Sequence, residues 1–313
     1  MLKSAKIKFS GWMPSEDLST IVSLCESFNH GRTYEIFWEY CDLTPEILKK
    51  RGANCWLYYE NGELCGFGLG RRRHEGFMRM GKAFIFEEVW APCDGLSSEL
   101  GQLSKRDMKR VLQFKRLIDS INYNVSIVLR AATDNQFAHM TARELKASWI
   151  NGLVIAERTL NRKTKFSYPN GYEFRLFKDR DQFYMSKIHE KAFKEKAEPK
   201  IYKVWATATN CRTIVATHHN IPVGFIIAEK RHCGSLGDFS IAVEPAHHGK
   251  GIGSALLTAA FNAFIDMKVK KVIADYLTLN SSAHRLYQKH NFITKRIYNY
   301  FLYSRDAENV EVI

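Results

Sequence analysis

Apolar residues in the C-terminal half of the chain alternate with the period of a strand in some stretches and of a helix in others. Strand-like alternation covers residues 172–177, 212–219, 222–232, 237–245, 270–279 and 292–303. Helical spacing covers residues 180–197, 253–266 and 281–290. In the central helix Leu256, Ala260 and Phe264 share one face. The runs at 212–219 and 222–232 predict a β-hairpin that turns at Asn220-Ile221-Pro222.

The N-terminal half follows a similar order. Residues 55–70 alternate as a hairpin, and Asn61-Gly62 suits a tight turn. Further strands are predicted at 83–92, 125–135 and 152–160, and helices at 105–121 and 136–149. The shared order suggests a duplicated unit. Because the segment 161–173 is polar and rich in turn residues, we predict domains at 1–165 and 166–313.

The composition is that of a soluble globular protein with a basic surface. Hydrophobic residues make up 45% of the 313 positions and charged residues 25%. Lysine and arginine outnumber aspartate and glutamate by 46 to 33, which gives a net charge of +13. Such a surface attracts polyanions, including nucleic acid, acidic membranes and phosphorylated cofactors, without selecting among them.

Compartment and metal content are constrained by the cysteines and histidines. No apolar run approaches the roughly 18 residues that span a bilayer, and the first residues lack the apolar core of a signal peptide. The seven cysteines are scattered without a CxxC pair, which favours free thiols in the cytoplasm. The adjacent pairs His218-His219 and His247-His248 point apart on a strand or loop, so we expect no metal site.

Three glycines stand where a predicted strand gives way to a predicted helix. Gly249, Gly251 and Gly253 keep side chains away from the first N–H groups of that helix, which lack partners within it. The helix dipole adds partial positive charge, so the turn suits a pyrophosphate, with Lys250 and a protonated His248 nearby. The spacing matches neither a dinucleotide fingerprint nor a Walker A loop, and a turn without function is the alternative.

Two motifs at characteristic spacing resemble the GNAT family of acetyl-CoA-dependent N-acetyltransferases. "VEPAHHGKGIGSALL" matches the cofactor loop of the family at residues 248–253, and "LNSSAHRLYQKHNF" matches its second motif. The resemblance covers about residues 172–304. His248 stands where the family has Gln or Arg, and Asn291 replaces a glycine that precedes Phe292. The first position acts largely through its backbone, and Asn tolerates a left-handed helix terminus, so we expect neither change to abolish the fold or the cofactor site.

The resemblance implies an α/β (α+β) protein made of two tandem GNAT-like domains. Each would be a mixed, mostly antiparallel twisted sheet flanked by helices. Acetyl-CoA would be the co-substrate, with no metal. The residues implied in its binding are Ile241, Ala242, Val243, His248, Gly249, Lys250, Gly251, Ile252, Gly253, Ser254, Asn280, Ala283 and Tyr287. Backbone groups of residues 241–243 would pair with the pantetheine and supply an oxyanion donor.

Acetyl transfer to an amine needs a base or water relay, an oxyanion donor and an acid. By resemblance Tyr287 is the acid; a tyrosine packed in the core is the alternative. Asn280 would bind pantetheine, cap the next helix, or do both. The base is less determined: Asp238 is the first choice, with Glu244 and Glu229 as others, and each is also explicable as a surface or paired carboxylate.

The N-terminal half keeps Gly95 and Gly101 but has no close glycine pair at a helix start and no Leu-Tyr step. We therefore expect a degenerate GNAT-like domain that shapes or stabilises the active half. The expected function is acetylation of a primary amine of a small molecule or peptide. A non-catalytic CoA-sensing or nucleic-acid-associated protein is the alternative, motivated by the charge of +13. Acceptor specificity is expected around residues 180–210, in which the segment 190–205 is basic and flexible-looking, and the oligomeric state is open.

Overall fold

A computed structural model describes residues 7–10, 53–60, 62–73, 83–91, 104–120, 126–165, 168–194, 196–231 and 234–303. The chain forms two compact units. One comprises Met1–Leu153 with Arg296–Ile313, and the other comprises Val154–Lys295.

The first unit is a sheet, and its described residues include two helices. Its elements are β1 (Ile7–Ser10), β2 (Ala53–Glu60), β3 (Glu63–Arg73), β4 (Ala83–Trp90), α1 (Lys105–Ser120), β5 (Ser126–Ala132), α2 (Gln136–Glu144) and the first part of β6 (Ser148–Thr159). The strand order is β1-β2-β3-β4-β5 followed by the last strand of the chain. The pairs β1–β2, β2–β3 and β3–β4 are antiparallel, whereas β4 and β5 run parallel.

Aromatic packing and the ion pair between Arg110 and Glu60 help to hold the first unit together. Phe86 and Phe114 belong to a core in which α1 and α2 cover the sheet. Arg110 on α1 is 1% exposed and donates from Nε and Nη2 to the two carboxylate oxygens of Glu60, at 2.8 and 2.5 Å. These hydrogen bonds hold the pKa of Glu60 down at about 2. The pair fixes α1 to the end of β2.

The second unit contains most of the predicted cofactor motifs. Its elements are the second part of β6, β7 (Tyr172–Leu176), α3 (Asp181–Phe193), α4 (Pro199–Ala206), β8 (Cys211–His218), β9 (Ile221–Lys230), β10 (Leu236–Val243), α5 (Ile252–Asp266), β11 (Lys271–Leu277), α6 (Ser281–Lys289) and the start of β12 (Ile293–Tyr303). The strand order is β6-β11-β10-β9-β8-β7. β7 to β10 pair antiparallel, and β10 and β11 pair parallel.

The fold class is the predicted one: a mixed, mostly antiparallel sheet flanked by helices. The domain boundary after residue 165 stays a prediction. The two compact units are divided elsewhere, within two of the strands. The unit limits fall inside β6 and inside β12. From Tyr298 to Tyr303, β12 pairs with β5 of the first unit, because its apolar residues complete that sheet. The last residues of a chain therefore need not belong to the domain that precedes them.

Two local predictions need correction. The hairpin between β8 and β9 turns at His219-Asn220, and both residues have positive φ, at 49° and 63°; the expected turn lay one residue later. Residues 199–206, expected to be flexible, form α4. Pro199 opens that helix at a position where its missing N–H costs nothing, and Tyr202 is buried beneath it.

None of the described helices is both long and apolar enough to cross a bilayer. Cys65 and Cys211 are free thiols, and burial raises the pKa of Cys211 to about 12. The N-terminal loop with Gly95 and Gly101 lies outside the described residues.

Candidate active site

The loop that contains Gly249 and Gly251 leads into α5 and leaves the N-terminus of this helix without a side-chain cap. A short 3-10 turn at Pro245–His247 follows β10, and α5 then starts from Gly251, which has φ +81° and makes no side-chain cap. Gly249 has φ +76°. A Cβ on Gly249 would meet nothing within 4 Å, so the backbone conformation, and not crowding, requires glycine there. The first N–H groups of α5 have no partner within the helix and suit an anion.

His248 and Lys250 differ in what they offer this loop. The His248 Nε2–H donates to the carbonyl of Val243 at 2.9 Å, so its ring is folded back onto the end of β10. Lys250 is exposed. The His248 contact helps to fix the path of the loop, and a contribution of Lys250 or His248 to anion binding stays a prediction.

The two histidine pairs meet beside the loop. The His218 and His247 ring centroids are 5.4 Å apart, and Tyr172 Oη lies 2.9 Å from His247 Nδ1. Among the described residues no group of three or more histidine, cysteine or acidic side chains has metal-binding geometry.

β10 and β11 separate almost at once. Only Leu236 and Gly237 pair with β11, at Lys271 and Val272, whereas β10 stays paired with β9 from Gly237 through Val243. A wedge therefore opens along six residues of β10.

The hydrogen bonds between β9 and β10 show which backbone groups of β10 face the wedge. Arg231 N–H donates to Leu236 C=O at 2.9 Å, and Glu244 N–H donates to Val223 C=O at 2.8 Å. By the alternation of an antiparallel ladder, Ile241 and Val243 then point their N–H and C=O groups away from β9. Ala242 differs from the expectation: its backbone pairs with Phe225, and its side chain, 4% exposed, lies in the core.

Tyr287 lies on α6 against this wedge. It is 6% exposed, and its ring packs 5.7 Å from Phe239 and 5.2 Å from Tyr276. No residue in the described ranges hydrogen-bonds its hydroxyl. Burial raises its pKa, and the nearby carboxylates of Asp275 and Asp238 act in the same direction. The phenol therefore stays protonated at neutral pH and can donate.

Asp238 is a paired carboxylate. Arg231 Nη2 donates to its Oδ2, and the Phe239 N–H donates to its Oδ1 at 2.7 Å. Burial raises the pKa of Asp238, while Arg231 opposes that rise. The same guanidinium lies 3.7 Å from Glu229. Asp238 is therefore a paired carboxylate whose pKa is raised, and its role as the base stays a prediction.

The other two candidate bases are paired as well. Glu229 accepts from Trp205 Nε1 at 3.2 Å, and Glu244 accepts from Lys191. Sequence reasoning missed Arg231 in this arrangement. The signal is the register: Asp238 lies opposite Glu229, and two facing carboxylates need a cation between them.

The second motif supplies caps as well as candidate ligands. Asn280 Oδ1 accepts from the Ala283 N–H at 3.0 Å, so Asn280 is the N-cap of α6. Ser254 Oγ lies 2.7 Å from His290 Nε2, which ties the first turn of α5 to the end of α6. Arg158 Nη1 donates to the His290 carbonyl at 2.7 Å. Burial lowers the pKa of His290 to about 4, and sequence reasoning did not single this residue out.

Residues 209–294 match a family model described as an acetyltransferase (GNAT) domain. No curated protein sequence matches the chain significantly.

Solved structures match over nearly the whole chain. A GCN5-related N-acetyltransferase from Sphaerobacter thermophilus is 14% identical, with a TM-score of 0.66 and 95% of each chain covered. A tandem GNAT protein from the clavulanic acid biosynthesis pathway, solved without AcCoA, is 11% identical, with a TM-score of 0.61 and coverage of 96% of this chain and 98% of that one. A GNAT-family acetyltransferase from Colwellia psychrerythraea is 11% identical, with a TM-score of 0.57, and covers 96% of this chain and 100% of that one. At these identities the likeness shows the fold. The chain therefore carries a GNAT acetyltransferase domain at residues 209–294 and has the fold of tandem GNAT proteins.

Proposed function

We propose that the chain transfers the acetyl group of acetyl-CoA to a primary amine of a small molecule or peptide, in the cytoplasm, by direct attack. The observation that carries this proposal is the wedge between β10 and β11, which ends at the open N-terminus of α5. If the first N–H groups of α5 bind the diphosphate of acetyl-CoA, its pantetheine arm would lie along the wedge. Its thioester would then lie near Tyr287.

The residues of the wedge would divide the work of the reaction. The N–H groups of Ile241 and Val243 face the wedge and would pair with pantetheine amides or stabilise the oxyanion of the tetrahedral intermediate. Tyr287 would protonate the departing thiolate, since its raised pKa keeps the proton on the phenol. Asn280 caps α6 and orients its first turn, and binding of pantetheine by its amide remains part of the proposal.

The cofactor part is tested by calorimetric titration of CoA into the wild type, Gly251→Ala and Gly62→Ala. Both glycines have positive φ, at 81° and 89°, so alanine strains each by about 1–2 kcal/mol. We expect Gly251→Ala to weaken CoA binding about tenfold or more, because the strain shifts the loop. Gly62→Ala, in the β2–β3 turn, should leave the affinity within twofold of the wild type. Equal affinities for all three proteins would contradict the cofactor site.

The catalytic part is tested by thiol release from acetyl-CoA with spermidine, lysine, kanamycin and a tetrapeptide that has a free N-terminus. Turnover with at least one amine is expected. The charge of +13 supports the alternative of a nucleic-acid-associated protein. Binding of DNA that falls steeply with salt, without thiol release for any amine, would favour that alternative.

A further inference from the structure

Four side chains meet beside the loop that leads into α5. Tyr172 on β7 stands directly opposite His218 on β8, and their ring centroids are 4.9 Å apart. Tyr172 Oη lies 2.9 Å from Nδ1 of His247, in the 3-10 turn that follows β10, and the His218 and His247 centroids are 5.4 Å apart. The ring of His219, in the β8–β9 turn, lies 4.1 Å from that of His218. We call these four residues the imidazole cluster, and all belong to the second unit.

The imidazole cluster borders the loop on which the CoA diphosphate is proposed to bind. His247 comes directly before residues 248–251 of that loop. A Cβ on Gly251 would lie 3.6 Å from Cγ of Pro169, and the Tyr172 N–H donates to the Pro169 carbonyl at 3.1 Å. The turn that leads to Tyr172 therefore packs against the last residue of the loop. A ligand on the first N–H groups of α5 would have the imidazole cluster beside it.

The carboxylates next to the imidazole cluster are directed elsewhere. Glu173 follows Tyr172 on β7, so alternation places its side chain on the other face of the strand. Glu244 precedes the 3-10 turn, but its carboxylate accepts from Lys191 on α3. Lys250, in the loop, is exposed. The charge around the cluster is therefore positive when an imidazole is protonated.

Ring nitrogens of His218 and His247 remain for a ligand. A neutral His247 ring that accepts the Tyr172 proton at Nδ1 keeps its hydrogen on Nε2, and a protonated ring has a hydrogen on each nitrogen. No residue in the described ranges hydrogen-bonds Nε2 of His247 or either ring nitrogen of His218. Desolvation and the positive charges of His219, His247 and Lys250 lower the pKa of His218. A bound anion would offset this repulsion.

Resting on the proposed function, we propose that the imidazole cluster binds the 3′-phosphate of acetyl-CoA, with His218 and His247 donating to its oxygens. The 3′-phosphate is attached to the ribose that carries the diphosphate, so a diphosphate on α5 leaves it within reach of a neighbouring surface. A phosphate monoester carries a charge of about −1.5 to −2 at pH 7, and an unperturbed imidazole becomes protonated below about pH 6.5. The cluster therefore holds the 3′-phosphate more tightly at pH 6 than at pH 8.

The test is a calorimetric comparison of CoA with 3′-dephospho-CoA at pH 6 and pH 8. The ratio of the two dissociation constants isolates the 3′-phosphate, because both ligands carry the same diphosphate and pantetheine. In the wild type we expect CoA to bind about tenfold more tightly than dephospho-CoA at pH 6 and about threefold more tightly at pH 8. The double variant His218→Gln/His247→Gln should bind the two ligands within twofold of each other at both pH values. Its affinity for dephospho-CoA should stay within twofold of the wild type.

Two further variants separate charge from shape. His218→Lys keeps a positive charge at both pH values, so it should prefer CoA at pH 8 at least as strongly as the wild type does. His284→Gln removes an exposed imidazole of α6 outside the imidazole cluster and should keep the wild-type ratio.

Three results overturn the assignment while leaving the proposed function intact. One is a double variant that keeps the wild-type ratio at both pH values. Another is a double variant that loses affinity for both ligands equally, because the histidines would then hold only the shape of the loop. The third is a wild type that binds CoA and dephospho-CoA equally well. A wild type that binds neither ligand would refute the cofactor site of the proposed function itself.

Discussion

Each unit places an asparagine at the same point of its fold and uses it differently. Asn135 caps α2 and Asn280 caps α6, with nearly equal backbone angles (φ −87°, ψ 80° and φ −84°, ψ 78°) and the same 3.0 Å bond to the N–H three residues on. Asn135 is 2% exposed, and its Nδ2 also donates to Val89 C=O on β4 at 2.9 Å. Asn280 is exposed. One side chain thus ties α2 to β4, while its counterpart leaves the edge of the wedge open.

The parallel strand pair near each asparagine is also more closed in the first unit than in the second. β4 and β5 pair over four positions, from Ala83 to Phe86, whereas β10 and β11 pair over two. Seven residues after each cap, the first unit has the buried Ala142 and the second has Tyr287. A shared motif can therefore serve packing alone, and the open wedge together with the phenol is what marks the second unit as the candidate catalytic one. The degenerate role of the first unit stays a prediction.

Tyr287→Phe removes the phenol hydroxyl, for which the first unit has no counterpart because Ala142 stands at the equivalent position. We expect kcat for acetyl transfer to fall by about 10²-fold or more, because the thiolate would leave unprotonated. CoA affinity should stay within twofold, since the ring still packs on Phe239 and Tyr276. Tyr276→Phe is the matched control: it loses only a hydroxyl 3.0 Å from His284 Nδ1 and should keep turnover within threefold. Unchanged turnover in Tyr287→Phe would exclude the phenol as the acid.

The two caps should differ in their contribution to stability. Asn135→Ala removes a cap and leaves Val89 C=O buried without its partner, which we expect to cost about 3 kcal/mol. Asn280→Ala removes an exposed cap and should cost about 1 kcal/mol. Urea denaturation of both variants measures the difference. Equal losses would mean that the bond to Val89 adds nothing, and the contrast between the units would then rest on strand pairing alone.

Much of the second unit could be predicted because its signals are local. The glycines of the loop predict positive φ, Asn280 predicts the start of a helix, and the alternation of apolar and polar residues predicts β10. The ion pair of Arg231 with Asp238 depends on the register of β9 and β10, which spacing along one segment does not give. The pairing of β12 with β5 of the first unit could not be predicted from the local sequence either, because the apolar alternation of β12 fits either sheet. On α1, Leu112 is 39% exposed, while Arg110 is buried because Glu60 on β2 neutralises it, and helical spacing alone gives neither result.

The smallest difference that we expect concerns the ends of the two motif helices. The C-cap of α2 is Leu145, 4% exposed, and the C-cap of α6 is His290. Burial, with the positive charges of Arg158 and Lys289, lowers the pKa of His290 to about 4. Above pH 6.5 the ring is neutral in folded and unfolded chains alike. As the pH falls from about 6.5 towards 4, only the unfolded chain binds the proton, so stability is lost across that window.

Between pH 7 and pH 4 the wild type should therefore lose about 2 kcal/mol more stability than His290→Gln, because partial exposure of the ring reduces the full linkage value. Denaturant titrations at several pH values measure this difference. His284→Gln, an exposed histidine on the same helix, should keep the pH dependence of the wild type. If His290→Gln also keeps it, the Ser254–His290 contact must form with a protonated ring, and the acid sensitivity of the second unit must have another source.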